Sequence, residues 1–164
     1  YTLRTTSYFV TLNEEIEYLK NYTNLQKLRF GKKLEVDYKI TAALLGEKVP
    51  FNFLQPVVEN CFRHGFKNRK KPMKVSVCVE KKEEQICFTI TDNGCGMDGE
   101  ALETLRERIR NGDAAHGTAM VARKLESLYG DSAACEVDAS ENGTVVTIYI
   151  PLERRENDEE SFAG

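Results

Sequence analysis

Two short stretches hold most of the side chains able to do chemistry. Glu59, Asn60, Arg63 and His64 bring a carboxylate, an amide, a guanidinium and an imidazole to one side of a helical pattern. Amide and carboxylate oxygens suit Mg²⁺, and a guanidinium suits a phosphate. Further on, Asp92-Asn-Gly-Cys-Gly-Met97 sets a carboxylate ahead of two glycines. An ionised carboxylate only accepts hydrogen bonds, so Asp92 matches an amine donor. Gly94 and Gly96 let a ligand approach the backbone closely. Each stretch also has a plainer explanation. The first is a solvated polar face, and the second is ordinary Asp-Asn-Gly turn chemistry.

The elements around these stretches follow from periodicity. Asn52 to His64 predicts a helix capped by Asn52, with Gln55 at its third position and Pro56 in its first turn. Leu54, Val57, Val58, Cys61 and Phe62 share its apolar face. The alternating run 86–91 predicts a strand that delivers Asp92, and a helix follows from Asp98 to about Ile109. Upstream, Thr11-x-x-Glu14 is a capping box for an amphipathic helix to Phe30, closed by Gly31. Further strands are predicted over 34–40, 74–80, 134–139 and 144–150, with hairpin turns at 81–84 and at Glu141-Asn-Gly143. Thr118 to Tyr129 predicts a helix stopped by Gly130. Residues 1–10 show no period, 41–50 read as a loop, 65–72 as a basic loop and 111–117 as a short mobile lid carrying His116.

The chain has 164 residues, 41% hydrophobic and 30% charged, with a net charge of −3, which suits one soluble domain. Its bases are dispersed, so no nucleic-acid surface is expected. No apolar run approaches the roughly 18 residues that span a bilayer, and no direct membrane contact is expected. The five cysteines are odd in number, irregular in spacing and free of any C-x-x-C. They predict neither a disulfide framework nor a zinc site, but small buried residues in a reducing compartment, with Cys95 the one placed for exposure. A first residue of tyrosine rather than methionine gives the expectation of a fragment whose parent has more to its N-terminal side.

The segment Leu54-Gln-Pro-Val-Val-Glu-Asn-Cys-Phe-Arg-His-Gly65 resembles the N box of sensor histidine kinases of the LytS/YesM type. Asp92-Asn-Gly-Cys-Gly-Met97 resembles their G1 box. Ala115-His-Gly-Thr-Ala-Met120 with its following helix resembles a degenerate G2 box, and 143–151 the last strand. The segment 12–30 resembles the stretch just upstream of the catalytic domain, so the likeness covers roughly residues 11 to 152 in family order. It implies an α+β fold of the Bergerat (GHKL) type. This is a two-layer α/β sandwich with helices on one face of a mixed, mostly antiparallel sheet, as in gyrase and MutL. It also implies three parts: 1–31 as the end of a dimerisation and linker region, 32–152 as the ATP-binding domain, and 153–164 as a disordered acidic tail.

The resemblance implies ATP and Mg²⁺ as ligands. Asn60 would hold Mg²⁺, Arg63 and His64 would lie near the phosphates, and Glu59 would act on the ion's waters or as a local base. Asp92 would accept from the adenine amine, with Gly94 and Gly96 clearing the base and Thr144 supporting that site. Gly117 would open the helix after the lid, where free N–H groups meet phosphate. The implied reaction is transfer of the ATP γ-phosphoryl to a histidine on the dimerisation domain, and then to a response regulator. The parent would be a homodimeric integral membrane protein, with this domain in the bacterial cytoplasm. Neither His64 nor His116 stands in a phosphoacceptor motif. Ala115 replaces a G2 glycine, Thr118 a hydrophobic residue and Met120 an asparagine. These departures keep open a regulatory pseudokinase that binds nucleotide and acts as an interaction module. A stand-alone ATPase or serine kinase of the same fold is disfavoured by the segment 11–30.

Overall fold

A computed structural model describes residues 8–66, 72–112 and 116–152; for His64 and Gly65 it describes the backbone alone. The expectations for residues 1–7, the tail 153–164, most of the basic loop and the centre of the lid lie outside the described residues.

Seven strands and four main helices run in the order β1 (Phe9–Thr11), α1 (Leu12–Phe30), β2 (Leu34–Ile40), β3 (Lys48–Pro50), α2 (Gln55–Asn60), β4 (Met73–Lys82), β5 (Gln85–Asp92), α3 (Gly99–Asn111), α4 (Gly117–Tyr129), β6 (Ala134–Ser140) and β7 (Gly143–Pro151). The main sheet has the order β2-β4-β5-β7-β6. Only β2 runs parallel to its neighbour, and the other pairs are antiparallel. This is the mixed, mostly antiparallel α+β arrangement expected.

The sheet is one-sided because its strands alternate. Val75, Val77 and Val79 of β4, Ile86, Phe88 and Ile90 of β5, and Val146, Ile148 and Ile150 of β7 are buried in one cluster. Leu12, Ile16 and Leu19 of α1, Val57 and Val58 of α2, and Val121 and Leu125 of α4 complete that cluster. Phe53 meets Phe88 edge-on at 5.0 Å between ring centroids. Helices on one face and alternating strands beneath them are the two-layer solution to burying both apolar stripes.

α1 carries the predicted capping box: Glu14 N–H donates to Thr11 Oγ1 at 3.1 Å, and Thr11 N–H to Glu14 Oε1 at 3.2 Å. Three expectations are corrected. Residues 41–50 are not a plain loop. They hold a 3₁₀ turn, Ala42–Leu44, and then β3, which pairs antiparallel with β1. Asn52 does not cap α2; it sits at φ 56°, and the helix begins at Gln55 with no side-chain cap from Leu54. The α geometry also stops at Asn60 and continues as a π turn, Cys61–Gly65. Such turns widen the backbone and recur at functional sites.

Candidate functional site

β5 ends by placing Asp92 opposite Thr144 of β7. Asp92 is 7% exposed. Its Oδ1 accepts from Gly94 N–H at 2.8 Å, which closes the turn after the strand. Asn93 ties that turn to β4: its Oδ1 accepts from Lys74 N–H at 2.7 Å, and its Nδ2 donates to the Pro72 carbonyl at 3.0 Å. Gly96 lies at φ 66°, where a Cβ would overlap the Ser140 carbonyl oxygen; Gly143, at φ 134°, would overlap the Asp92 carbonyl in the same way. Two glycines therefore let the G1-like turn and the β6–β7 turn close against each other.

Opposite, α2 turns Val57 and Cys61 inward and carries Asn60 at its last helical position. Asn60 Nδ2 donates to Thr118 Oγ1 at 3.0 Å, across to the first turn of α4. Gly117 permits that approach, because a Cβ there would lie 3.0 Å from Asn60 Nδ2 and 3.2 Å from the Pro56 carbonyl oxygen. His116 caps α4, its Nδ1 accepting from Thr118 N–H at 3.2 Å. One N–H at this helix start is thus already used.

Between these walls and α3 lies a cavity of 540 Å³, within the range of small-molecule sites. Ile90, Val57, Val137 and Val146 form its apolar floor, and Asp92, Thr144, Asn60, Thr118 and His116 bring polar groups to it. α3 supplies the remaining wall through Ala101, Thr104, Leu105 and Arg108. Gly96 also lines it, with Met97 beside it. Burial, and then the Asp92 carboxylate beside it, push the Cys61 thiol well up, so Cys61 is a neutral wall of the site.

Of the sequence-predicted residues, Asn60, Asp92, Gly96 and Thr144 therefore share one cavity. Gly94 is buried behind it as the donor to Asp92, and Gly117 is packed on Asn60. Glu59 and Arg63 are not among its lining residues. Glu59 Oε1 accepts from Gln55 Nε2 at 3.0 Å along the same helix, and Arg63 is exposed on the π turn. The side chain of His64 lies outside the described residues. The sequence carried no expectation for Arg108, although the spacing of Ala101, Thr104, Leu105 and Arg108 is one helical face. Gly143 was read only as a turn residue.

Comparison with known proteins gives this geometry a family. Residues 50–154 match the model of histidine kinase-, DNA gyrase B- and HSP90-like ATPases, and residues 1–34 match a histidine kinase model. Sensor protein LytS of Streptococcus mutans is 33% identical over 152 residues, covering 92% of this chain and 26% of that protein. The chain thus spans about a quarter of the length of the curated relatives it matches. The nucleotide-free catalytic domain of histidine kinase ThkA superposes with a TM-score of 0.64 at 15% identity, covering 88% of this chain and 94% of that one. ThkA in complex with the response regulator protein TrrA superposes with a TM-score of 0.62 at 15% identity, covering 88% of this chain and 41% of that one. The chain belongs to the histidine kinase-, DNA gyrase B- and HSP90-like ATPases, and within them it is similar to the sensor proteins LytS.

Proposed function

We propose that this chain is the catalytic domain of a protein-histidine kinase. It binds ATP in the 540 Å³ cavity and passes the γ-phosphoryl to a histidine of the parent protein. The observation that carries this reading is the pairing, in one apolar-floored cavity, of a buried Asp92 carboxylate with Asn60 and the start of α4. Asp92 accepts from the adenine amine, and Thr144, its cross-strand neighbour, supports it. Gly94 fixes the carboxylate, and Gly96 keeps the turn clear of the base. The triphosphate runs toward Asn60 and Gly117. Arg108 on the opposite wall supplies positive charge there. The resemblance adds Arg63 and His64, which follow Asn60 in the chain. Glu59 turns along its own helix to Gln55, outside the cavity, so no step is assigned to it.

The donor set fits Mg²⁺. Among the described residues, no group of three or more His, Cys, Asp or Glu side chains is placed to hold an ion. Mg²⁺ keeps its waters and the phosphate oxygens, so a single amide oxygen is a sufficient protein ligand. Asn60 Oδ1 is the ligand proposed, and the bound ion would neutralise phosphate charge. The chain's own contribution is positioning, which is most of what phosphoryl transfer demands. In the transfer, an imidazole nitrogen forms the P–N bond as the bond to ADP breaks.

The family's relay then sets the partners: a response regulator whose aspartate accepts the phosphoryl, as the ThkA–TrrA complex suggests by analogy, and a second copy of the parent through its dimerisation region. In this reading residues 1–31 end that region, with α1 packed into the core of the ATP-binding domain, 32–152, and 153–164 follow as a tail. No helix of the described residues is long and apolar enough to cross a membrane. We infer a membrane-bound parent with this domain on its cytoplasmic side, as the sequence resemblance implies.

Calorimetric titration with ATP tests the reading. The wild-type chain binds ATP, and Asp92→Asn, which turns an acceptor into a mixed amide, lowers affinity at least tenfold. Equal affinity of both proteins overturns the adenine assignment. Binding without phosphorylation of an added histidine-bearing segment assigns the domain to nucleotide-regulated interaction instead.

A further inference from the structure

Asn60 is held from across the cavity by the first turn of α4. Thr118 is 2% exposed, on the first turn of α4, and its Oγ1 is the acceptor for Asn60 Nδ2 at 3.0 Å. Gly117 leaves room for the same amide, since a Cβ built there would lie 3.0 Å from its nitrogen and 3.1 Å from its oxygen. The amide is thus held by the Thr118 hydroxyl and accommodated by Gly117, two consecutive residues of α4. We propose that Thr118 is a positioning residue, which holds the Asn60 amide with its oxygen turned to the cation of the bound nucleotide. This rests on the reading of Asn60 as the cation ligand.

The physical case runs through the two ends of the amide. A cation takes the oxygen and rejects the NH₂, so a freely rotating side chain presents the wrong end part of the time. A threonine hydroxyl both donates and accepts, so it tolerates either orientation. Once a cation occupies Oδ1, only the nitrogen remains for Thr118, and its N–H finds an acceptor already in place. A hydrophobic side chain at 118 would leave that N–H without its protein acceptor in a part-buried contact, at the cost of a lost hydrogen bond. The hydroxyl spans α2 and α4, so it also registers the two helices at the phosphate end. His116 fixes the start of α4 independently by accepting from Thr118 N–H. The adenine end, at Asp92 and Thr144, lies on the sheet.

ATP titrations in Mg²⁺ and in chelator test this on the wild type, Thr118→Val, Thr118→Ser, Asn60→Ala and, should valine fail to fold, Thr118→Ala. Thr118→Val is expected to lose roughly tenfold of the Mg²⁺-dependent gain, read as the ratio of its own affinities in Mg²⁺ and in chelator. Thr118→Ser is expected to retain the gain. Loss of the gain in Asn60→Ala but not in Thr118→Val or Thr118→Ala overturns the proposal and leaves the Asn60 reading standing. An unchanged gain in Asn60→Ala sinks that reading, and the proposal with it. A parallel fall of Thr118→Val in both conditions shows a merely structural role and also overturns the proposal.

Discussion

Glu15 is 2% exposed on α1, and its carboxylate accepts from three successive backbone N–H groups. Asn52 donates at 2.7 Å, Phe53 at 2.9 Å and Leu54 at 3.3 Å. These donors stand where α2 has no side-chain cap of its own, so Glu15 is the cap, supplied from another helix. Desolvation outweighs the hydrogen bonds and holds its carboxyl above the usual range. Burial also lowers Lys124, whose Nζ donates to the Phe51 carbonyl at 2.7 Å, while the charge of Glu15 opposes that lowering. Glu15→Gln keeps the shape but offers one acceptor oxygen, and turns an NH₂ toward backbone donors. It should destabilise the fold by about 1–3 kcal/mol at neutral pH, read from urea unfolding. The pH dependence follows from the raised native value. Starting from the ordinary carboxyl value of 4.5, the folded chain holds this proton more tightly than the unfolded chain. The stability it contributes is complete below that pH and is lost as pH rises through the native value. The wild type should therefore show a falling slope there that Glu15→Gln lacks. Identical slopes in both proteins would remove Glu15 as its source.

At the scale of elements, the sensitive joint is where α4 begins against α2. Gly117 has no strained φ to protect, and its role is space. Gly117→Ala adds a methyl that must push Asn60 or the Pro56 carbonyl by a few tenths of an ångström. It also gains helix propensity of up to about 1 kcal/mol. The two effects nearly cancel in stability but not in ligand binding. The expected result is a melting temperature within a few degrees of wild type and an ATP affinity roughly five- to tenfold weaker. An unchanged affinity would show that Asn60 has room to shift. The faces of these helices were legible beforehand, because 3.6-residue periodicity sorts Val57, Val58 and Cys61 inward and Asn60 to the margin. The cap of α2 was not, since the acceptor lies 37 residues from Asn52 in the chain. β1 and β3 were equally hidden: three residues each leave no alternation to detect, and their pairing exists only because α1 brings them together. At the site, Asp92 was readable from its turn. The register that sets it opposite Thr144 is a sheet property, and the turn of Arg108 toward the cavity depends on where α3 docks. The resemblance to a family, not the local pattern, linked Asp92 to Thr144 in advance.

At the scale of the whole molecule, α1 is part of the domain's core rather than a handle attached to it. Leu12, Leu19 and Ile16 are 0%, 1% and 2% exposed, in the same cluster as the sheet residues. Thr23 Oγ1 meets Tyr38 Oη on β2 at 2.7 Å, and Phe30 stacks on Phe62 at 5.9 Å, just past Asn60. Together with the Glu15 cap, these contacts tie the segment upstream of residue 31 to the wall that carries Asn60. Each of the three aliphatic side chains is worth about 1.5–3 kcal/mol when buried. Their sum approaches the ~5–15 kcal/mol by which a typical domain is stable at all. A chain beginning at Gly31 would lose that burial, leave the N–H groups of Phe53 and Leu54 buried without Glu15, and lose the partner of β3. It should fail to give a cooperative thermal transition or a structured near-ultraviolet dichroism spectrum. The chain beginning at Tyr8 should melt in one step, and ATP should shift that step upward by mass action. A cooperative, ATP-responsive transition in the shorter chain would establish that the ATP-binding unit begins at residue 31 and that α1 only rests upon it.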